Sequence, residues 1–137
     1  MTKYNLSLTY APKIQAVIDG RCRQTIRATD KFVYDDLVSF HGWEGKPYKS
    51  KWSFRTPYFK LKTVINVDFN KKYGAYINGT WYGWDDPEII GIAKLDYIDP
   101  PTGEELKNVL FGLNKSKESH FEAQIIRWSI LGADDIT

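Results

Sequence analysis

GRCRQTIR, residues 20–27, packs three arginines, a thiol and a hydroxyl into eight residues. The residues around it decide its setting. Upstream, Tyr4, Leu6, Leu8 and Tyr10 alternate with Asn5, Ser7 and Thr9, the period of a half-buried strand. Pro12 suits the first position of a helix, Ile14, Val17 and Ile18 follow at helical spacing, and Gly20 is a natural stop. The motif therefore follows a strand and a short helix. If it is extended, Thr25 and Arg27 share one side and Gln24 and Ile26 the other. Three uses compete: a solvated strand whose arginines pair with acids, a grip for an anion or nucleic acid, and part of a catalytic site.

Working outward, Asp35-Asp36 reads as a turn into the extended segment LVSFHGW. GKPYKSKWSFRTP is basic, aromatic and bounded by prolines, which predicts a long loop or irregular hairpin. Leu61, Thr63, Ile65, Val67 and Phe69 form the clearest alternating strand, and Asn78-Gly79 signals a type I′ hairpin. Asp86-Pro87-Glu88 opens a helix with Ile89, Ile92, Ala93 and Tyr97 as its buried stripe. Thr102 and Glu105 make a capping box ahead of Leu106, Val109, Leu110 and Leu113, an amphipathic helix. Phe121 to Ile130 is the last strand, and its phase slip at Ile125-Ile126 predicts a bulge. Five to seven short strands with two or three helices, the helices inserted before the last strand, predict an α+β fold. A small curled sheet or barrel stands at its centre.

The length of 137 residues predicts one domain spanning 1–137. One Cys excludes an internal disulfide framework, and two His without ligand spacing argue against a zinc cluster. No metal or cofactor is implied. MTKYNLSLTY lacks the apolar core of a signal peptide, and no apolar run has the length of a membrane span, so a cytoplasmic protein without membrane association is expected. The net charge of +2 is unevenly spread. Lys46, Lys49, Lys51, Arg55, Lys60 and Lys62 are basic with no acid among them, whereas residues 85–105 are strongly acidic. A basic region of this kind binds polyanions even when the total charge is small.

With strand, helix, Gly-Arg-Cys-Arg-Gln-Thr-Ile-Arg and then Asp36-Leu37-Val38 in that order, the chain resembles the ASCH domain, a branch of the PUA-like superfamily. Gly20, Arg21, Thr25, Ile26 and Arg27 match the family's Gly-Lys/Arg-Lys-Thr-x-Thr-Ile-Arg-like motif, and Asp35 stands where the following turn usually has Gly. The resemblance implies a PUA-like β-barrel with peripheral helices and a cleft beside the motif. It also implies binding of RNA or nucleotides. Some members of the family are amidohydrolases that deacetylate N4-acetylcytidine with a Lys, a Thr and a Glu. Carried over, the threonine is Thr25, the lysine position is occupied by Cys22, and the acid nearest the glutamate's place is Asp99.

Three functional expectations follow. In an RNA- or nucleotide-binding module, Arg21, Arg23 and Arg27 offer forked donors to phosphates, joined by Lys51, Trp52 and Arg55 from the basic aromatic stretch. In an amidohydrolase, Thr25 is the nucleophile, with Asp99 or Asp96 assisting proton transfer. In an interaction module, the basic half meets an acidic protein partner. Cys22 among arginines is a further candidate nucleophile through a lowered pKa, set against an ordinary buried thiol. The oligomeric state is not encoded in any of these features.

Overall fold

The computed structural model describes residues 1–43, 52–113 and 119–129. Strand β1 (Lys3–Ser7) is followed by helix α1 (Ala11–Ile18), the short β2 (Gln24–Arg27), β3 (Leu37–Trp43) and β4 (Trp52–Arg55). The long β5 (Phe59–Asn70) leads into the hairpin of β6 (Gly74–Ile77) and β7 (Thr80–Tyr82). Helices α2 (Pro87–Leu95) and α3 (Gly103–Leu113) precede the last strand, β8 (His120–Trp128). The fold is α+β, a mixed sheet with three helices among the described residues.

Local chemistry accounts for most element ends. Gly20, at φ 83°, lets the chain leave α1 in the left-handed region where a side chain is disfavoured. Asn78 and Gly79 both have positive φ, as a type I′ turn demands. The Asp86 side chain accepts the Glu88 N–H at 2.9 Å to cap α2, and Thr102 Oγ1 accepts the Glu105 N–H at 3.1 Å to cap α3. Asp35 turns the chain into β3 at φ 73°, a conformation that Asp tolerates better than most residues. Within the stretch expected to be a loop or irregular hairpin, β4 pairs antiparallel with β3, with a register shift between Gly42 and Trp43; residues 44–51 lie outside the described residues. Tyr97, expected in the α2 stripe, lies beyond the helix end and is half-buried.

Strand β8 holds the centre. It pairs antiparallel with β5 along most of its length and with β2 on its other edge. Ile126 and Trp128 pack into one core with Ala16 and Val17 of α1 and with Val38 and Phe40 of β3. Ile125 and Ala123 pack into a second core with Ile89 and Ile92 of α2 and Leu106 of α3. This overturns the expected bulge at Ile125-Ile126. The β5–β8 register runs unbroken through Ile125 and Ile126 and shifts only between Leu61 and Thr63 on β5. Two adjacent isoleucines break the alternation because both faces of the strand are covered.

Hydrogen-bonded ladders connect β1, β3, β5, β8 and β2 in that spatial order. β1 and β2 end this path, and no ladder joins them among the described residues, so the sheet is open rather than a closed barrel. Side chains bridge the gap instead. Arg27 Nη2 donates to Ser7 O at 2.7 Å, so a guanidinium spans from β2 to the end of β1.

The two-core arrangement predicts that Ile125→Ala and Ile126→Ala each lower unfolding stability by about 2–5 kcal/mol in urea titrations, because both residues are fully buried. A loss well under that range at either position would mean that one face of β8 is not packed.

Candidate functional site

The open edge between β1 and β2 is a cavity of about 290 Å³, at the small end of the range for ligand sites. Ser7 and Leu8 come from the end of β1, Tyr10 and Lys13 from the start of α1, and Thr25 and Arg27 from β2. Asp96 enters from the C-terminal end of α2. Ile98, Val109, Leu110 and Phe121 line the cavity with apolar surface.

A chain of buried polar contacts runs through it. Lys13 Nζ donates to Thr25 Oγ1 at 3.0 Å and lies 3.0 Å from Asp96 Oδ2. Gln24 Nε2 donates to the other carboxylate oxygen, Asp96 Oδ1, at 3.2 Å, and to Ile92 O at 3.1 Å. Gln24 Oε1 in turn accepts from Arg127 Nε at 2.9 Å. Lys13, Thr25, Gln24 and Asp96 are each less than 7% exposed. Burial pushes the Asp96 carboxyl up from its ordinary value, and the neighbouring Lys13 ammonium opposes that shift.

The placement of this pair is informative. Lys13 stands in the first turn of α1 and Asp96 caps the C-terminus of α2. Each charge is therefore at the helix end where the macrodipole disfavours it. Helix stability does not call for either residue there. Such conflicts with local rules concentrate at functional sites.

Arg27 completes the polar side. Burial lowers its pKa to about 10, with Asp96 opposing the shift, and its Nε is buried without a hydrogen-bond partner. Its guanidinium carbon lies 5.9 Å from the centre of the Phe40 ring. Cys22 belongs to the core: it is 1% exposed, its Sγ lies 3.3 Å from Gln24 O, and burial raises its pKa. The surrounding arginines do not turn it into a thiolate, because Arg21 and Arg23 are exposed and the largest influence on the thiol is desolvation.

The structure brings Thr25, Arg27 and Asp96 to one cavity and distributes the remaining candidates elsewhere. Arg21 pairs with Asp19 at 2.9 Å, and Arg23 Nε donates to Gly20 O at 3.3 Å. Arg55 lies with its guanidinium carbon 5.8 Å from the Tyr58 ring centre. Arg27 and Arg55 both approach His41, whose pKa is lowered first by burial and then by these two cations. Lys51 and the side chain of Trp52 lie outside the described residues. Asp99 is exposed and lines a separate shallow depression with Pro12 and Tyr97; the carboxylate that reaches Thr25 through Lys13 is Asp96. Tyr73, Tyr76 and Trp81 are exposed around the β6–β7 hairpin, away from the lining of the cavity.

Sequence reasoning missed Lys13 and Gln24. A signal for Lys13 was present: it shares the helical phase of the buried Ala16 and Val17. Asp96 is likewise in phase with Ile89, Ile92 and Ala93, a charge on an apolar stripe. Gln24 carried no comparable local mark, since its partners are about seventy residues away in the chain.

Among the described residues, no group of three His, Cys, Asp or Glu side chains is arranged to hold a metal ion, and no helix is long and apolar enough to cross a membrane. Comparison of the chain with family models, with curated proteins and with solved structures gave no match.

The buried pair has a distinctive expected stability pattern. Asp96→Asn leaves the Lys13 ammonium unpaired and is expected to lower unfolding stability by about 3–5 kcal/mol. Lys13→Met combined with Asp96→Leu removes both charges and is expected to recover most of that loss. Urea midpoints of the two variants check this; equal losses would mean that the two groups are not coupled.

Proposed function

We propose that this chain is a hydrolase of small acylated amines or amides, in which Thr25 is the nucleophile, Lys13 its base and Asp96 the group that governs the lysine's proton. The observation that carries the proposal is the Lys13 Nζ held 3.0 Å from both Thr25 Oγ1 and Asp96 Oδ2 inside a cavity of ligand size. A nucleophile, a base and an orienting group within hydrogen-bond reach form the constellation that activated hydroxyls need.

The chemistry proceeds in two halves. In the first, the Lys13 proton passes to Asp96 across their 3.0 Å contact, and the resulting amine is free to act as a base. That amine accepts the Thr25 hydroxyl proton as Oγ1 attacks the acyl carbon. Arg27 faces the negative charge that develops on the acyl oxygen. Collapse breaks the acyl C–N bond, and the leaving amine takes the proton from Lys13. A water then adds to the acyl-threonine, giving its proton to Lys13, and Thr25 recovers its hydrogen as the carboxylic acid leaves. Gln24 keeps Asp96 aimed at Lys13 throughout.

The resemblance to the ASCH domain fits this proposal, with one change in the source of the groups. The hydroxyl comes from the matched Thr25, whereas the amine comes from α1 at Lys13 and the acid is Asp96. An acylated exocyclic amine of a nucleobase, such as that of N4-acetylcytidine, belongs to the proposed substrate class. We also propose a PUA-like relationship, with RNA binding as the alternative activity. The geometry favours the small ligand, because the cavity is small and Arg21, Arg23 and Arg55 do not line it.

Hydrolysis of N4-acetylcytidine and of simple N-acyl anilides, followed chromatographically, is the test. Thr25→Ala and Lys13→Met are expected to lose about a hundredfold or more in kcat/KM. Thr25→Ser is expected to keep measurable turnover. Undiminished hydrolysis by Thr25→Ala would end the proposal.

A further inference from the structure

We infer that the cavity between β1 and β2 is a binding site for a small monocarboxylate with an apolar body, held by Arg27 and Lys13 at one end and by Ile98, Val109 and Leu110 at the other. Where the hydrolase reading holds, this ligand is the acid half of the preferred substrate, whose acyl group is then larger than the acetyl of N4-acetylcytidine, retained after release of the amine. The inference rests on that reading only for the ligand's origin; the binding site stands on its own observations.

The first observation is a charge count. The described residues that line the cavity include two cations, Lys13 and Arg27, and one carboxylate, Asp96. One positive charge is left over. Moving the proton between Lys13 and Asp96 does not alter that sum, so the excess belongs to the cavity in either state of the pair. A dianion overcompensates it and a cation aggravates it, whereas a single carboxylate neutralises it.

The second observation is an unmet donor. Arg27 Nη2 is satisfied by Ser7 O at 2.7 Å, while Nε is buried with no partner. A buried donor without an acceptor is unusual in a folded protein. Arg27 lines the cavity, so a turn of its side chain presents Nε to a carboxylate oxygen there, and guanidinium geometry suits that acceptor. Helix α1 adds a weaker attraction, since its first turn borders the cavity and Tyr10 at its N-cap makes no side-chain capping bond.

The third observation concerns the body of the ligand. Beside Ser7, Thr9, Tyr10 and the polar side chains of Lys13, Thr25, Arg27 and Asp96, the wall carries Leu8, Ile98, Val109, Leu110 and Phe121. Apolar surface of this extent is not needed to hold acetate. It matches an aromatic or branched aliphatic acid, whose burial adds favourable transfer energy to the charge contact. The volume of about 290 Å³ accommodates such an acid.

Benzoate, benzamide and benzylamine share one ring and differ in charge, which makes them direct probes. Titrations of the full chain by calorimetry and by ¹⁵N–¹H spectra are expected to show benzoate binding at least about tenfold more tightly than benzamide, with no binding of benzylamine. The perturbed amides should include those of Lys13 and Thr25 to Ala28. Acetate should bind more weakly than benzoate. Arg27→Met should abolish the preference for benzoate over benzamide; if that variant does not fold, the ligand comparison on the unaltered chain decides alone. Thr25→Ala should keep benzoate binding while losing hydrolysis. Equal affinity for benzoate and benzamide, or shifts confined to another face, would overturn the inference even if Thr25-dependent hydrolysis were found. Benzoate binding at this site in a chain without hydrolytic activity would sustain it while refuting the enzymatic reading.

Discussion

A lysine ammonium buried between a hydroxyl and a carboxylate is the constraint on which the rest of this structure turns. Lys13, Thr25 and Asp96 come from the first turn of α1, from β2 and from the end of α2. Their meeting fixes how these three elements approach one another. Neither charge is tolerated there alone, because a lone ion in a desolvated site costs several kcal/mol. The pair therefore stands or falls together, with Gln24 and Arg127 extending it into the sheet. Such a network specifies one arrangement and penalises every partly formed one.

The fold leaves room for this cluster by not closing. Had β1 and β2 joined by backbone hydrogen bonds, the ladder would occupy the space that Thr25, Arg27 and Lys13 now line. The Arg27 guanidinium bridges the two strands at Ser7 O, and Arg27 also lines the cavity. On either side the scaffold is dense. Strand β8 is packed on both faces, with Phe59 stacked 5.7 Å from Trp128 in one core and Phe69 5.6 Å from Phe121 in the other. A rigid, doubly buried central strand is what holds β2, and with it Thr25, in a defined place.

Much of the fold was legible because its causes are local. Alternation marked β1 and β5, Asn78-Gly79 marked the hairpin, and Asp86-Pro87 and Thr102 marked two helix starts. The α+β class followed from their order. The position of β8 was not legible, because a strand covered on both faces loses the period that identifies its faces, and Ile125-Ile126 looked like a slip rather than two cores meeting. The open edge was equally hidden, since strand closure depends on pairing between segments that carry no mark for each other. At the site, Thr25 and Arg27 stood out through their motif, and Asp96 was one of two acids in view. Lys13 was overlooked because lysine on a short helix is usually solvated, although its phase with Ala16 and Val17 placed it on the buried side. Long-range contacts such as that between Gln24 and Asp96 come only from the assembled fold.

The central claim is that Lys13 activates Thr25 rather than merely packing beside it. Brief exposure of the full chain to an activated ester, p-nitrophenyl acetate, followed by quenching and peptide mapping by mass spectrometry, tests it most directly. Acylation found on Thr25, and absent when Lys13 is replaced by Met, is the result this account requires. A label on the Lys13 amine, or on exposed lysines alone with Thr25 unmodified, would contradict it.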